Sequence, residues 1–465
     1  MHTRSIPVFV LAAALAACQP TAPDGAAGSA VADAGDAADA AAEAASSPGA
    51  APAAVTVAPW ALPATGHAAQ PDLVATPGGD LLLSWVRPDG EGHALVFARW
   101  DGDGWGEPRT VARGDDWFVN WADTPHLVAT ADGALWAHWL QKSAAATYAY
   151  DVALVRSDDG GASWSAPVLV NDDGTPTEHG FVSLWPAGDD RIGVAWLDGR
   201  ETAGGGHEGH APAAPADTPA TAHDGHAAGA GAGADAAETP PAMTLRTAVF
   251  DAALARSGET RLDAMTCDCC QTDAAVTARG PLLVYRDRSP DEIRDIAATR
   301  FEGGNWSAAE PVHADGWNMP ACPVNGPAVA ADGEAVVVGW YTAAGGTPAL
   351  KLARSGDAGD RFAAPVTVDS GAAVQGRVDV VLDDDSAWVL WTREDASGQT
   401  LQLARFAPDL SREWQRVELA ALQGRGRGTG FAQLARGADG RLHAVWTDIV
   451  DGAPRLQGAV VQAGG

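Results

Sequence analysis

Four cysteines fall in two short segments: Cys267, Cys269 and Cys270 in Thr266-Cys-Asp-Cys-Cys-Gln271, and Cys322 in Pro320-Ala-Cys-Pro323. Thiolates are soft donors, so the set could hold Cu(I) or Zn. In an oxidising compartment it could instead close as two disulfides, in any of three pairings. Met319 is near enough in sequence to add a soft ligand, or to pack. A second group sets arginine beside carboxylate: Asp198-Gly-Arg200-Glu201, Arg286-Asp287-Arg288, Glu292-Ile-Arg294-Asp295 and Arg393-Glu394-Asp395. Guanidinium forks bind carboxylates through paired hydrogen bonds, and a carboxylate with a shifted pKa can act as acid or base. The same residues could equally be ion pairs that tie neighbouring elements together. Histidines form a third group. His207-Glu-Gly-His210 and His223-Asp-Gly-His226 lie in a tract of Ala, Gly and Pro, where imidazoles could chelate Cu or Zn weakly or be polar filler.

What would position such groups is a repeat. Seven short apolar runs end in an aromatic residue: Trp85, Trp139, Trp196, Tyr285, Trp340, Trp391 and Trp446. The steps are about 50 to 57 residues, except one that contains the histidine tract, and this suits a four-stranded unit. In the second copy, 125–130, 134–140, 151–156 and 167–170 read as strands a to d, with Ala131-Asp132-Gly133 as a turn. The other copies cover 71–111, 181–264, 274–312, 328–368, 378–419 and 431–461. The last lacks a fourth strand, which 55–60 could supply. The expected fold is all-β: a β-propeller of seven four-stranded blades, with six as the alternative, closed by an N-terminal strand that leaves no open sheet edge. Antiparallel strands alternate direction, so b–c and d–a loops share one mouth of the ring. Both cysteine segments precede strand a of adjacent units, so they should meet there, beside the arginine loops. Asn120, Trp121, His126, Glu178, His179, Asn325, Arg377 and Arg427 are carried to the same mouth, a mixture suited to a sugar or other small polar ligand.

Between strands c and d of the second unit lies Ser157-Asp-Asp159-Gly-Gly161-Ala-Ser163-Trp164, with a fainter copy at 355–362. Asp accepts amide bonds across the turn, Gly supplies positive φ and the aromatic packs beneath, so Ser157, Asp159, Gly161 and Trp164 are expected to be structural. With this complete Asp box on a repeating all-β chain, the sequence resembles the sialidase superfamily of BNR-repeat propellers over about 70–460. The resemblance implies an exo-α-sialidase-type glycoside hydrolase or a lectin-like glycan binder. It implies that arginines clamp a substrate carboxylate, drawn from Arg200, Arg286 and Arg393, with Arg294 on the same loop as Arg286. It further implies a tyrosine nucleophile, for which Tyr341 is the candidate, and an aspartate acid/base, for which Asp198 and Asp287 are. The family's early Arg-Ile-Pro motif is absent. A metal-handling or redox propeller and a noncatalytic scaffold are readings of a different class that the residues leave open.

The chain begins with Arg4, runs apolar from Ile6 to Ala17 and reaches Leu15-Ala-Ala-Cys18, which resembles a bacterial lipoprotein signal. That implies cleavage before Cys18 and lipidation of its thiol. Residues 1–18 are then a leader, 19–52 an Ala/Gly-rich tether too poor in large apolar side chains to fold, and 53–465 the propeller, with 203–241 a His-rich insertion. The expected setting is the cell envelope, with lipid as the membrane anchor and the protein a monomer. With 60 acidic against 30 basic residues the formal charge is −30, which repels nucleic acid.

Overall fold

The computed structural model describes residues 53–202 and 241–464. The leader, Cys18, the tether and His207, His210, His223 and His226 lie outside the described residues. No helix among the described residues is long and apolar enough to cross a membrane.

Seven antiparallel sheets form a seven-bladed β-propeller, which settles the choice between seven and six. Blades 1 to 6 span 69–114, 127–169, 179–263, 273–313, 328–370 and 374–422, each with its strands in chain order. Blade 4 adds a two-residue strand, Asn305–Trp306, between its third and last strands. Blade 7 takes strands from Gln433–Arg436, Leu442–Val450 and Ala453–Gly464, and its outer strand from Ala53–Pro59 at the other end of the chain. That seam is antiparallel, pairing Thr56 with Gln462 and Pro59 with Ala459.

The recurring aromatic sits on the second strand of each blade, where strand alternation turns it inward. All seven are buried, Trp196, Trp340 and Trp391 completely. The core is seven separate apolar clusters, each made by two consecutive blades. Leu82, Phe97 and Val111 of blade 1 pack on Leu127, Leu135 and Val155 of blade 2, and the last cluster joins Val445 and Leu456 of blade 7 to Leu83 and Trp85 of blade 1. Burial therefore drives the ring closed as well as each blade together.

Carboxylates at the start of the inner strands reinforce the ring. Asp72 accepts the Leu127 amide at 2.8 Å, Asp123 the Phe181 amide at 2.8 Å, Asp273 the Val329 amide at 2.7 Å and Asp379 the Leu434 amide at 2.6 Å, each bond crossing to the next blade. The Asp box builds a hairpin on the far side. Asp159 accepts Ser157 Oγ, Ser163 N and Ser163 Oγ, while Gly161 has φ of 81° and a Cβ there would meet the Phe97 ring at 2.3 Å. Its Gly160 carbonyl accepts Arg109 Nη1 of the preceding blade at 2.7 Å.

Candidate functional site

The loop from Asp263 to Asp273 carries the first cysteine segment. Its path is fixed by backbone bonds from Thr266 N to Met243 O and from Cys267 N to Arg286 O. Gln271 ties it sideways, donating to Ala122 O at 2.7 Å and accepting from Gly326 N at 3.0 Å. Gly326 belongs to the loop of Cys322. A Cβ there would lie 2.1 Å from Gln271 O, so glycine is what lets the two loops touch.

The cysteines converge. The sulfurs of Cys267, Cys269 and Cys270 all lie within 4.8 Å of one another, with Cys267 and Cys270 Sγ 3.1 Å apart. Cys322 shares a hydrogen bond with Cys269. All four are thiols; 3.1 Å is far beyond an S–S bond of about 2.05 Å, so the expectation of two disulfides is corrected. The local electrostatics single out one sulfur. Burial works against charging Cys267, but hydrogen bonds from Cys269 and Cys270 and the positive charges of Arg294 and Arg286 outweigh it, holding this thiol well below its ordinary range. Arg294 Nη1 lies 3.2 Å from Cys267 Sγ. Burial and the neighbouring sulfurs push Cys269 and Cys270 well up. One thiolate cradled by two thiols results.

Around the sulfurs stands a polar wall. Arg294 is held by Glu292 at 2.8 Å, and Glu292 also takes Arg288 at 2.6 Å, which reaches Asp268 at 3.3 Å. On the blade 2 side, Tyr150 Oη contacts Glu178 Oε1 at 2.7 Å and Asp123 Oδ2 at 3.2 Å, its ring stacked on Phe118 at 4.1 Å. One hydroxyl hydrogen cannot serve both carboxylates, so the trio holds an extra proton. Consistently, burial and the charges of Asp123, Asp268 and Cys322 push Glu178 well above the usual carboxylate range, and burial lifts Asp123 to about 7. Burial, with the charges of Glu178, Cys322 and Cys269, raises Tyr148, and Arg427 opposes them. Tyr148, Tyr150, Asp123 and Asp268 escaped the sequence reading, because no motif links residues that meet only through the ring.

The arginines do not gather into a clamp. Arg200 grips Asp198 through two bonds, at 2.8 and 2.7 Å, and reaches Glu259 at 3.1 Å. Asp198 also accepts Trp196 Nε1 at 2.7 Å and lies 3.8 Å from the buried His179, whose Nε2 is 3.1 Å from Asp173. These three acid and imidazole groups have metal-like spacing, but Arg200, 3.4 Å from Asp173, already supplies the positive charge. Arg393 binds Asp369 at 2.7 Å. Arg286, 2% exposed, spends its nitrogens on the carbonyls of Asn325, Arg294 and Tyr341. Only Arg294 reaches the thiols directly, while Arg286 adds its charge to Cys267 from a distance. The expected clamp is corrected for a simple reason: each loop arginine has a nearer partner of its own. Asp287 is raised to about 7 by burial and by Asp263. Tyr341 packs edge-on against Trp317 at 5.6 Å, and no carboxylate hydrogen-bonds its hydroxyl among the described residues.

Below this mouth the channel encloses a cavity of 250 Å³, lined by residues of all seven inner strands including Asp72, Asp273, Asp379 and His126. Burial lifts Asp379 to about 7 and Asp273 to about 6, each also repelled by neighbouring channel carboxylates. A carboxyl whose pKa is raised on folding stabilises the fold fully below about pH 4, and that stability is lost as pH rises through its folded value. Wild type should therefore lose stability between about pH 4 and 7. Asp379→Asn keeps the acceptor for the Leu434 amide but cannot ionise, so it should gain about 2 kcal/mol at pH 8, discounted for water in the channel, and little at pH 4. Thermal melts of both proteins across that range check the sign.

No family matches the sequence, and no curated protein does. Among solved structures, a protein of unknown function from Dyadobacter fermentans is 13% identical, covering 85% of this chain and 95% of its own at a TM-score of 0.46. Polysaccharide lyase Uly1 is 8% identical over 87% and 91%, at 0.48. The α-L-arabinanase of Penicillium chrysogenum, solved with arabinobiose, is 14% identical over 85% and 93%, at 0.42. Likenesses at this level assign neither substrate nor site.

Proposed function

We propose that this protein is a lipid-anchored envelope propeller that binds one soft metal ion, Cu(I) or Zn(II), on the thiols at its channel mouth. The observation that carries the reading is the grouping of Cys267, Cys269 and Cys270 sulfurs within 4.8 Å, with Cys322 adjoining. Metal–thiolate bonds of about 2.3 Å put sulfurs about 3.8 Å apart around a tetrahedral ion, close to this spacing. Ligand thiols must lose their protons to bind. Cys267 has in effect lost its own, and Arg286 and Arg294 offset the negative charge that further thiolates add. The lipoprotein-like leader with Cys18 supports the envelope setting. The test is metal analysis of full-length protein purified anaerobically. One Cu(I) or Zn(II) per chain, held against a competing chelator and shielding the thiols from alkylation, is expected. Fully alkylated thiols with no retained metal would end the reading.

A second reading, glycan hydrolysis of the sialidase type, has one observation in its favour. Tyr150 and Asp123, with Glu178 beside them, have the residue types the sialidase resemblance implies for nucleophile and acid/base. Tyr150 is, however, completely buried, which keeps its hydroxyl from a sugar. We expect no release of fluorophore from a fluorogenic sialoside; turnover lost in Tyr150→Phe would reverse that expectation. Glycan binding without turnover would keep the lectin form.

A further inference from the structure

Arg200, Arg288, Arg294 and Arg393 are each ion-paired to a carboxylate. Arg377 and Arg427 are not. Among the described residues neither forms an ion pair, although the chain carries 60 acidic residues. Arg377 is 6% exposed, and its Nη1 donates to Thr429 Oγ1 at 2.9 Å and to Gly430 O at 3.2 Å. Its backbone is strained, with φ of 53°, and is held there by the Arg377 amide bond to Asn325 Oδ1 at 2.9 Å. The same left-handed residue recurs at the matching bulge of other inner strands, at Gln70 and Phe181, so it belongs to the build of the blades. The acid that Arg377 feels is Glu394, which is occupied by the Gly426 amide at 2.9 Å and by Gln399 at 2.8 Å.

Both guanidiniums lie over one indole. Arg377 Cζ is 5.1 Å and Arg427 Cζ 5.7 Å from the Trp121 ring centre, and Trp121 is itself stacked on Phe431. Arg427 is exposed, on the short turn Gly426–Thr429. The indole that carries the pair packs in the same apolar cluster as Cys269. Two like charges, one of them buried, without a counter-ion make a place for an anion.

We infer that Arg377 and Arg427 form a carboxylate-binding subsite that docks the small acidic thiol carrying the metal ion to the cysteines. This rests on the metal reading for the ion and on the arginine pair alone for the carboxylate. Thiophilic ions travel bound to ligands rather than bare. In the transfer, the metal–sulfur bond of the carrier breaks as a bond from Cys267 Sγ forms, and the carrier leaves with its electron pair as a thiolate. No oxidation occurs.

The probes are Cu(I) complexes of N-acetylcysteine and of its amide, which share the thiol and differ in the carboxylate. With wild-type full-length protein, transfer from the acid should run at least about tenfold faster than from the amide. In Arg427→Gln, an exposed substitution safe for the fold, and in Arg377→Gln the ratio should fall to about one. Equal rates from both carriers in wild type would overturn the inference. If neither complex delivers copper, the metal reading fails separately, and calorimetry of metal-free protein decides the subsite. Saturable binding of N-acetylcysteine but not its amide, abolished by Arg427→Gln, would sustain it; no binding of either would end it.

Discussion

Cys267→Ser should leave a folded propeller whose Cu(I) affinity has dropped by about 100-fold or more, measured by competition with a chromophoric chelator. Cys267 is the sulfur on which the local charge converges: Arg294 Nη1 is 3.2 Å away, Cys270 Sγ is 3.1 Å away, and Arg286 adds a second positive charge. A serine hydroxyl is a hard, neutral donor and cannot replace a thiolate for a soft ion. Arg294→Gln should cost less, about tenfold, because it removes a group that favours the ligand's charged form rather than a ligand. It should also move the pH at which Cys267 is alkylated upward, toward that of an ordinary thiol. The melting temperature of wild type should rise with added metal and that of Cys267→Ser should not, since only an ion that binds the native state stabilises it. A Cys267→Ser protein with wild-type affinity would remove the thiols from the account.

Arg286→Met should be the most destabilising single change at this mouth, by about 3–5 kcal/mol. The guanidinium is buried over the Trp317 ring at 4.9 Å and caps three carbonyls, those of Asn325, Arg294 and Tyr341, at 2.6 to 2.9 Å. Methionine fills much of the volume but leaves all three acceptors dry and unpaired. For a propeller of this size the loss corresponds to a fall of about 5 °C in melting temperature. The same substitution should weaken metal binding, because Arg294, the loop of Cys322 and blade 5 are held in register by this one side chain. Arg393→Met removes a half-exposed cation from a nearly buried Asp369 that keeps its bond from Trp391 Nε1, and should cost less, about 1–2 kcal/mol. Equal melts for the two variants would show that Arg286 is no pin.

How much of this could be read from sequence follows from range. The blades were legible because alternation and the repeated aromatic are local, and strand 53–59 was foreseen because the seventh copy was visibly one strand short. The meeting of the two cysteine segments was legible too, since both precede an inner strand. The charge of Cys267 was not: it depends on Arg294 and Arg286, whose reach toward sulfur no spacing reveals. The arginine clamp misled for the opposite reason. Arg200 stands two residues from Asp198, and the shortest path for its side chain is back onto that neighbour. Of the trio, Glu178 was placed at the mouth by its loop, but Asp123, on another loop, and Tyr150, at the start of a strand, carry no signature.

The seam between Ala53–Pro59 and Ala453–Gly464 also orders events in time. The two strands are separated in sequence by all of blades 1 to 6, so the earlier one must wait unpaired while those are made. Until then six blades have no way to complete a circle, and the cysteine loops hang from an open arc. Closure of the ring is therefore a late, long-range and all-or-none step of folding.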